Sequence, residues 1–361
     1  MLSNLIFICL LLIVPDLIVW TGLVDGADIG SKIACSAVSL VQLLFMLNVF
    51  NRRSNRITRT RLFFICFLML VLPKVVFALV GWLGGWWAGI VAAIVLIVIF
   101  VYGFTYGWVR LKVRNEEMVF PDLPKAFDGY RILQFSDLHI GTFFRQPWFL
   151  DKLLCEMKAQ HANLVVFTGD LVNLKASEAS TFINILSRIS APDGVFSILG
   201  NHDYYDVHGA VTRMEEQLGW HVLNDTHCMI HRGEAQIALI GVQHIGEPPF
   251  ISHGNLQAAM EGVPDKVFKI LLSHNPSHWR MEVVGSTDIQ LMLSGHTHAA
   301  QMRIGPLSPA RLMYREWGGW YTKGEQRLYV SAGLGGTVPF RLMAWPEINV
   351  IKLAKVDKLT S

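Results

Sequence analysis

Five short segments of the chain carry side chains that bind divalent metals, and each follows an apolar, β-branched run. Ser136-Asp137-Leu138-His139 follows the run 130–135, and Gly169-Asp170 follows 164–168. Gly200-Asn201-His202-Asp203 follows 195–199, His274 closes 268–273, and Gly295-His296-Thr297-His298 follows 289–293. Residues i and i+2 of an extended segment point to the same side, so Asp137 with His139, and His296 with His298, can face one centre. Carboxylate and imidazole together suit borderline divalent ions such as manganese, iron or zinc, and the absence of cysteine argues against a structural zinc site. One carboxylate can bridge two ions. Two ions roughly 3.5 to 4 Å apart activate water and neutralise charge on a phosphoryl oxygen, the two-metal solution to phosphoester hydrolysis. A lone Asp-x-His or Gly-Asp carries little information. Gly-Asn-His-Asp and Gly-His-Thr-His, in order and each after an apolar run, are specific as a set. His161, His208, His221, His227, His231, His244, His253 and His278 lack such neighbours and are assigned to the surface or to positions behind the ligands.

The elements that position these residues read as an alternation of strands and amphipathic segments. Further strands are expected at 236–242, 327–331 and 348–353, with helices at 148–160 and 179–189. The first three strands and the helices between them make βαβ units, which defines an α/β domain. Carboxyl ends of strands in an open α/β sheet converge on one edge, so distant segments can share one site. No internal repeat or low-complexity tract is present.

Composition sets this domain apart from the start of the chain. Of the 361 residues 52% are hydrophobic and 16% charged, well outside soluble usage. Residues 1–109 hold only ten charged side chains, seven basic and three acidic, whereas all 13 histidines lie after residue 138. The net charge of +3 comes from the apolar part and gives no case for nucleic-acid binding. Four apolar stretches, Leu2 to Leu23, Ile33 to Phe50, Leu62 to Gly81 and Trp86 to Val109, approach the roughly 20 residues that cross a bilayer. They predict a four-helix transmembrane region over 1–114. The first is not read as a cleaved signal, because no basic segment precedes it and Pro15-Asp16 interrupts it.

Arg52, Arg53, Arg56, Arg59 and Arg61 mark the second loop as cytoplasmic, which places both termini inside, and Arg110, Lys112 and Arg114 agree. The chain is accordingly read as multi-pass in the inner (cytoplasmic) membrane. Residues 115–128 read as a linker and 129–361 as a cytoplasmic catalytic domain. Asp16 and Lys74 fall at similar depth in two spans that run the same way, and are expected to pair. The five cysteines show no disulfide or metal spacing, consistent with a reducing compartment.

The motif series D-x-H, G-D, G-N-H-D, H and G-H-x-H resembles that of the calcineurin-like metallophosphoesterase superfamily, complete and in order over about 129–353. The resemblance implies a four-layer α/β/β/α sandwich with two divalent metal ions, manganese first and iron or zinc as alternatives. It implies one ion held by Asp137, His139, bridging Asp170 and His298, and the other by Asp170, Asn201, His274 and His296. His202 is the implied catalytic histidine, beside the scissile phosphate and able to protonate the leaving oxygen. The segments 295–301, 328–335 and 339–348 resemble a membrane-anchored branch that includes phosphodiesterases, transmembrane proteins with a metallophosphoesterase domain, and a UDP-diacylglucosamine pyrophosphatase of lipid A synthesis. Ala300, where glycine is expected, and Ala332, where arginine is expected, depart from that branch, and the second would remove a phosphate contact.

The implied enzyme is a hydrolase of a phosphodiester or pyrophosphate bond that meets membrane lipids and a lipid-linked substrate. Aromatic and cationic residues at 141–148 and 302–323 suit a membrane interface. The alternatives are a phosphodiesterase of soluble substrates localised to the membrane, and a regulator that binds a phospho-ligand without turnover. A complete ligand set disfavours the regulator. Four spans with few charges and no inverted repeat disfavour a transporter.

Overall fold

The computed structural model describes residues 2–51, 56–207, 209–247 and 251–356, so Arg52, Arg53 and His208 lie outside the described residues. The chain divides into two compact units, Met1–Tyr106 and Gly107–Ser361.

The first unit is helical: α1 (Leu2–Trp20), α2 (Ile29–Asn51), α3 (Arg56–Cys66), α4 (Leu72–Gly84) and α5 (Trp86–Thr105). A π-helical turn at Phe67–Val71 joins α3 to α4, just ahead of Pro73. Among the described residues, two stretches are long and apolar enough to cross a membrane, Ile57–Gly84 (28 residues) and Trp86–Val109 (24 residues). Within α1 and α2 the described stretches Leu10–Trp20 and Ile29–Phe45 are apolar as well, so two membrane-crossing stretches are clear among the described residues where four are expected.

Polar groups inside this unit meet one another. Lys74 Nζ lies 2.7 Å from Asp16 Oδ1 and donates to the Leu12 carbonyl at 2.9 Å and to the Ser39 hydroxyl. Ser39 donates in turn to Asp16 Oδ2 at 2.6 Å. Three acceptors thus meet the three ammonium protons of a buried lysine, and α1, α2 and α4 are tied at one point. Removing either charge strands the other in an apolar setting, which is strongly destabilising.

The second unit contains two six-stranded sheets. The first is built from β1 (Lys112–Phe120), β2 (Arg131–Phe135), β3 (Leu164–Phe167), β4 (Val195–Ser197), β5 (His221–Val222) and, last in the chain, β12 (Glu347–Lys355), in the order β1-β12-β2-β3-β4-β5. The second takes β6 (Thr226–Arg232), β7 (Ala235–Gly241), β8 (Phe268–Leu272), β9 (Leu291–Ser294), β10 (Gly319–Lys323) and β11 (Gln326–Val330), in the order β10-β11-β9-β8-β7-β6.

Side-chain alternation assigns the faces. Ile132, Leu164 and Val166 of the first sheet share a core with Leu239, Ile270 and Leu293 of the second. Leu133, Val165 and Phe167 turn the other way, onto α6 (Pro147–Ala159) and α7 (Ile183–Leu186), and Val211 of α8 (Ala210–Gln217) joins them. Ile240, Leu271 and Met292 pack on α9 (Leu256–Met260) and on Trp279 and Val283. The 179–189 helix is reduced to short turns around α7. The stretch 115–128 read as a linker begins within β1, which runs parallel to β12 from Lys112 opposite Glu347 to Phe120 opposite Lys355.

The ion pair yields the first prediction. Asp16→Lys and Lys74→Asp alone should each reduce the yield of monodisperse, detergent-solubilised protein, and the double exchange should recover it. Equal loss in the double exchange would show that the two charges act independently.

Candidate metal centre

All five chemistry-bearing segments leave the same edge of the two sheets. Asp137 and His139 follow β2, Asp170 follows β3, and Asn201 and His202 follow β4, while His274 follows β8 and His296 and His298 follow β9. Two facing sheets supply the donors, rather than one open sheet.

Reversal of the chain just past each strand aims the side chains inward. Asp137, His139, Asp170, His296 and His298 all have positive φ, between 45° and 73°, a conformation that costs a non-glycine residue about 1 to 2 kcal/mol. Strain concentrated on these residues means the surrounding packing dictates their backbone. Glycines make room: a Cβ on Gly295 would overlap Ser136 Oγ and Asp137 Oδ2, and one on Gly200 would overlap Asp170 Oδ1.

Ligand atoms of Asp137, His139, Asp170 and His298 lie within 4.8 Å of one another. His139 Nε2 and His274 Nε2 stand 3.5 and 3.4 Å from Asp170 Oδ2, and His298 Nε2 stands 3.4 Å from Asp137 Oδ1. The His296 ring is 5.0 Å from that of His274. The deep donors are unsatisfied: both nitrogens of His139, Nε2 of His274 and Oδ1 of Asn201 are buried without a hydrogen-bond partner.

The His274 tautomer sharpens this. Its Nδ1 lies 2.7 Å from the Thr168 carbonyl, so that nitrogen carries the proton and donates. Nε2 then presents a lone pair to a carboxylate oxygen, an arrangement that requires a cation between or beside them. A buried set of imidazoles, carboxylates and one amide, short of partners, fits a divalent-metal centre. Without metal a proton takes that place: burial opposes charge on His274, but Asp170 outweighs it and lifts the imidazole to about 9. Burial holds His139 and His296 well below the usual histidine value, and lowers His298. Asp170 is buried as well, yet His274 and the neighbouring imidazoles hold its carboxyl well below the usual range.

His202 stands beside this set, its ring 4.6 Å from that of His139. Its backbone N–H donates to Asp170 Oδ1 at 2.8 Å, and its Nδ1 is 2.8 Å from the Asn173 carbonyl. That contact places the proton on Nδ1 and leaves Nε2 to face outward.

Several supporting residues have roles that strand ends do not reveal. Asp203 accepts from the backbone N–H of Asp170 (2.8 Å), Leu171 (3.0 Å) and Gly200 (2.9 Å), and so fixes the loop that carries Asp170. Tyr314 places its hydroxyl 3.1 Å from His296 Nε2. Arg341, almost fully buried, donates to the carbonyls of Ala344 and Gly335, while the Gly335 N–H donates to the Asp137 carbonyl at 2.7 Å. Of the unassigned histidines, His244 lies closest in: it is 6% exposed, its ring 5.8 Å from those of His274 and His296.

Two packed sheets with aspartate- and histidine-bearing loops at one edge make a metallophosphoesterase α/β fold. The calcineurin-like phosphoesterase family model matches residues 130–300. The metallophosphoesterase YkuE of Bacillus subtilis is 31% identical over 249 residues, covering 65% of this chain and 82% of its own length. A transmembrane protein with metallophosphoesterase domain of Danio rerio is 30% identical over 254 residues, 67% of this chain, and this chain spans only 57% of it. The UDP-2,3-diacylglucosamine pyrophosphatase LpxG of Chlamydia muridarum is 26% identical over 290 residues, covering 64% and 86% of the two chains. The chain belongs to the calcineurin-like metallophosphoesterases, metal-dependent hydrolases whose members hold a dimetal centre.

The departures from the branch pattern have local explanations. Ala300 has φ 49°, within a run of left-handed residues from His298 to Gln301, which is why glycine is expected there. Ala332 is buried beside Ala299 and Ala344, away from solvent. Ala300 is exposed, so its methyl group gains little from packing. Ala300→Gly should therefore raise stability by roughly 0.5 to 1 kcal/mol, read as a higher thermal midpoint of the metal-free chain. A lower midpoint would mean that the methyl group packs favourably.

Proposed function

We propose that the protein is a membrane-anchored phosphoesterase that hydrolyses a phosphodiester or pyrophosphate bond with two divalent ions, manganese first. The observation that carries this reading is the buried, partnerless donor set around Asp170, in which His139 and His274 both approach one carboxylate oxygen. Asp137, His139, Asp170 and His298 would hold one ion, and Asp170, Asn201, His274 and His296 the other. Two ions bound there supply charge neutralisation for a phosphoryl oxygen and a more acidic water.

The chain's own residues do the rest. Asp203 fixes the Asp170 loop through the backbone, and Asp170 in turn positions His202 through its N–H. With Nδ1 committed to Asn173, His202 turns Nε2 toward the space in front of the ligands, where in its protonated form it donates to the leaving oxygen.

In this reading residues 1–106 anchor the enzyme, with α1, α2, the α3–α4 helix and α5 as four passes of the inner membrane. The Arg56, Arg59 and Arg61 end of the second loop, and with it the catalytic unit, is cytoplasmic. A tether suits a substrate that stays in the bilayer. Leu312 is 90% exposed, and Phe144, Trp148 and Met313 are also exposed, in the two segments that flank the ligands. By contrast Trp320 donates to Glu116 and meets Tyr329 edge to face, and Trp317 packs against an alanine cluster, so these two close a local core. The exposed set, with Arg145, Arg303 and Arg311 nearby in sequence, supports an amphiphile as substrate. A UDP-diacylglucosamine-like sugar nucleotide is the most specific candidate.

Full-length protein with Mn²⁺ should hydrolyse bis(p-nitrophenyl) phosphate. Asp170→Asn should abolish turnover and metal binding. His202→Ala should retain metal but lose on the order of 10²-fold in rate, as for a general acid. Full activity in Asp170→Asn, or after chelation, would refute the dimetal reading. With a lipid extract and nucleotides supplied together, mass spectrometry should detect cleavage of an amphiphile; turnover of water-soluble species alone would refute the lipid assignment. A reporter fused after residue 361 should behave as cytoplasmic, and periplasmic activity would reverse the orientation.

A further inference from the structure

We infer that a second subsite adjoins the metal ligands, a cavity that receives an uncharged, hydroxylated ring, as in a nucleoside or a sugar, esterified to the reacting phosphate. The inference builds on the phosphoesterase reading above and names the group that its substrate carries. The cavity measures about 840 Å³ and is bordered by Asn201 and His296 on the metal side. That size is ample for a small organic group.

The chemistry of the wall selects the occupant. Among the described lining residues there is no lysine or arginine. The carboxylates are already engaged: Asp203 holds the Asp170 loop, Asp206 accepts from the Ala176 N–H at 2.8 Å, and Glu247 pairs with Arg280 at 2.9 Å. A second phosphate drawn into this space would find no counter-charge, and burying it unpaired is costly. A neutral group has no such penalty.

Two polar side-chain atoms of the wall lack a partner. His244 Nδ1 and Asn224 Oδ1 are buried without hydrogen-bond partners, and both residues line the cavity. An amide oxygen accepts, and a neutral imidazole nitrogen donates or accepts according to tautomer. Ring hydroxyls and base N–H groups can satisfy both. Flat surfaces complete the site. Tyr204 stacks on His253 with centroids 4.0 Å apart and planes 2° from parallel, and its hydroxyl is fixed by Gln243 at 3.0 Å. Tyr205, largely exposed, sits 4.9 Å from the His202 ring. A ring entering here would lie against aromatic faces while its phosphate remained at the ligands.

The test uses full-length protein in detergent with Mn²⁺ and three esters sharing one p-nitrophenolate leaving group: methyl p-nitrophenyl phosphate and the p-nitrophenyl phosphate esters of thymidine (5′) and glucose (6). At least one ring ester should show kcat/KM about tenfold or more above the methyl ester, and the one that gains identifies the ring. Thr212→Trp, which fills the cavity from α8, should bring that ratio to about one and leave the methyl ester within about twofold. Thr212→Ala should behave as wild type. Saturation-transfer NMR on the metal-free chain should detect thymidine or methyl glucoside binding that Thr212→Trp removes. If that binding is present but no ester is hydrolysed, the phosphoesterase reading fails and the subsite stands. Equal kcat/KM for all three esters, equal loss on all three in Thr212→Trp, or no binding of either ring compound would overturn the subsite.

Discussion

The placement of one buried carboxylate, Asp170, governs the rest of the site. Its backbone takes a left-handed turn at φ 62°, its N–H is held by Asp203, and Oδ1 accepts from His202. Oδ2 is left facing the imidazoles of His139 and His274. A carboxylate so buried is tolerable only with positive charge beside it, so the same packing that positions Asp170 demands a cation. A proton on the His274 imidazole meets that demand in the metal-free chain, which is why His274 is lifted to about 9 although burial opposes its charge. Metal and proton thus compete for one lone pair, and metal binding should weaken as pH falls.

The fold exists in a form that makes this possible. Sheets packed through Ile132, Val166, Ile270 and Leu293 bring β2, β3 and β4 opposite β8 and β9, and their carboxyl ends open onto one edge. Close approach there depends on missing side chains at Gly200 and Gly295. The strands behind the site are buried on both faces, whereas Phe144, Leu312 and Met313 are exposed on the segments that follow the first and last motifs. Precision and access are therefore assigned to different parts of the chain.

How much of this could be read from the sequence follows the same division. All eight expected strands are present, and each is interior to its sheet. The four strands that escaped the reading, β1, β5, β6 and β10, are the four sheet edges. Edge strands are half solvated and carry charge, as in Lys112-Val113-Arg114-Asn115-Glu116-Glu117, so neither an apolar run nor clean alternation marks them. The metal-ligating types were legible because they end buried strands. The roles of Asp203, which closes the Gly-Asn-His-Asp motif, and of Tyr314 and Arg341 were not, because what they do depends on backbone groups and loops that only the folded chain brings near. His244 has no motif neighbours in sequence and acquires them in space.

The helical unit shows the same contrast. Asp16 and Lys74 could be matched from depth alone, and they lie 2.7 Å apart, whereas Ser39, which closes the network, sits on a helix whose polar face is otherwise inconspicuous. The claim on which the account rests is that Asp170 is shared by two ions. Crystals grown with Mn²⁺ and measured at wavelengths either side of the manganese edge test it directly. The account predicts two anomalous peaks, both bonded to the Asp170 carboxylate, one also reached by His139 and His298 and the other by Asn201 and His274. A single peak, or a second one held without Asp170, would contradict it.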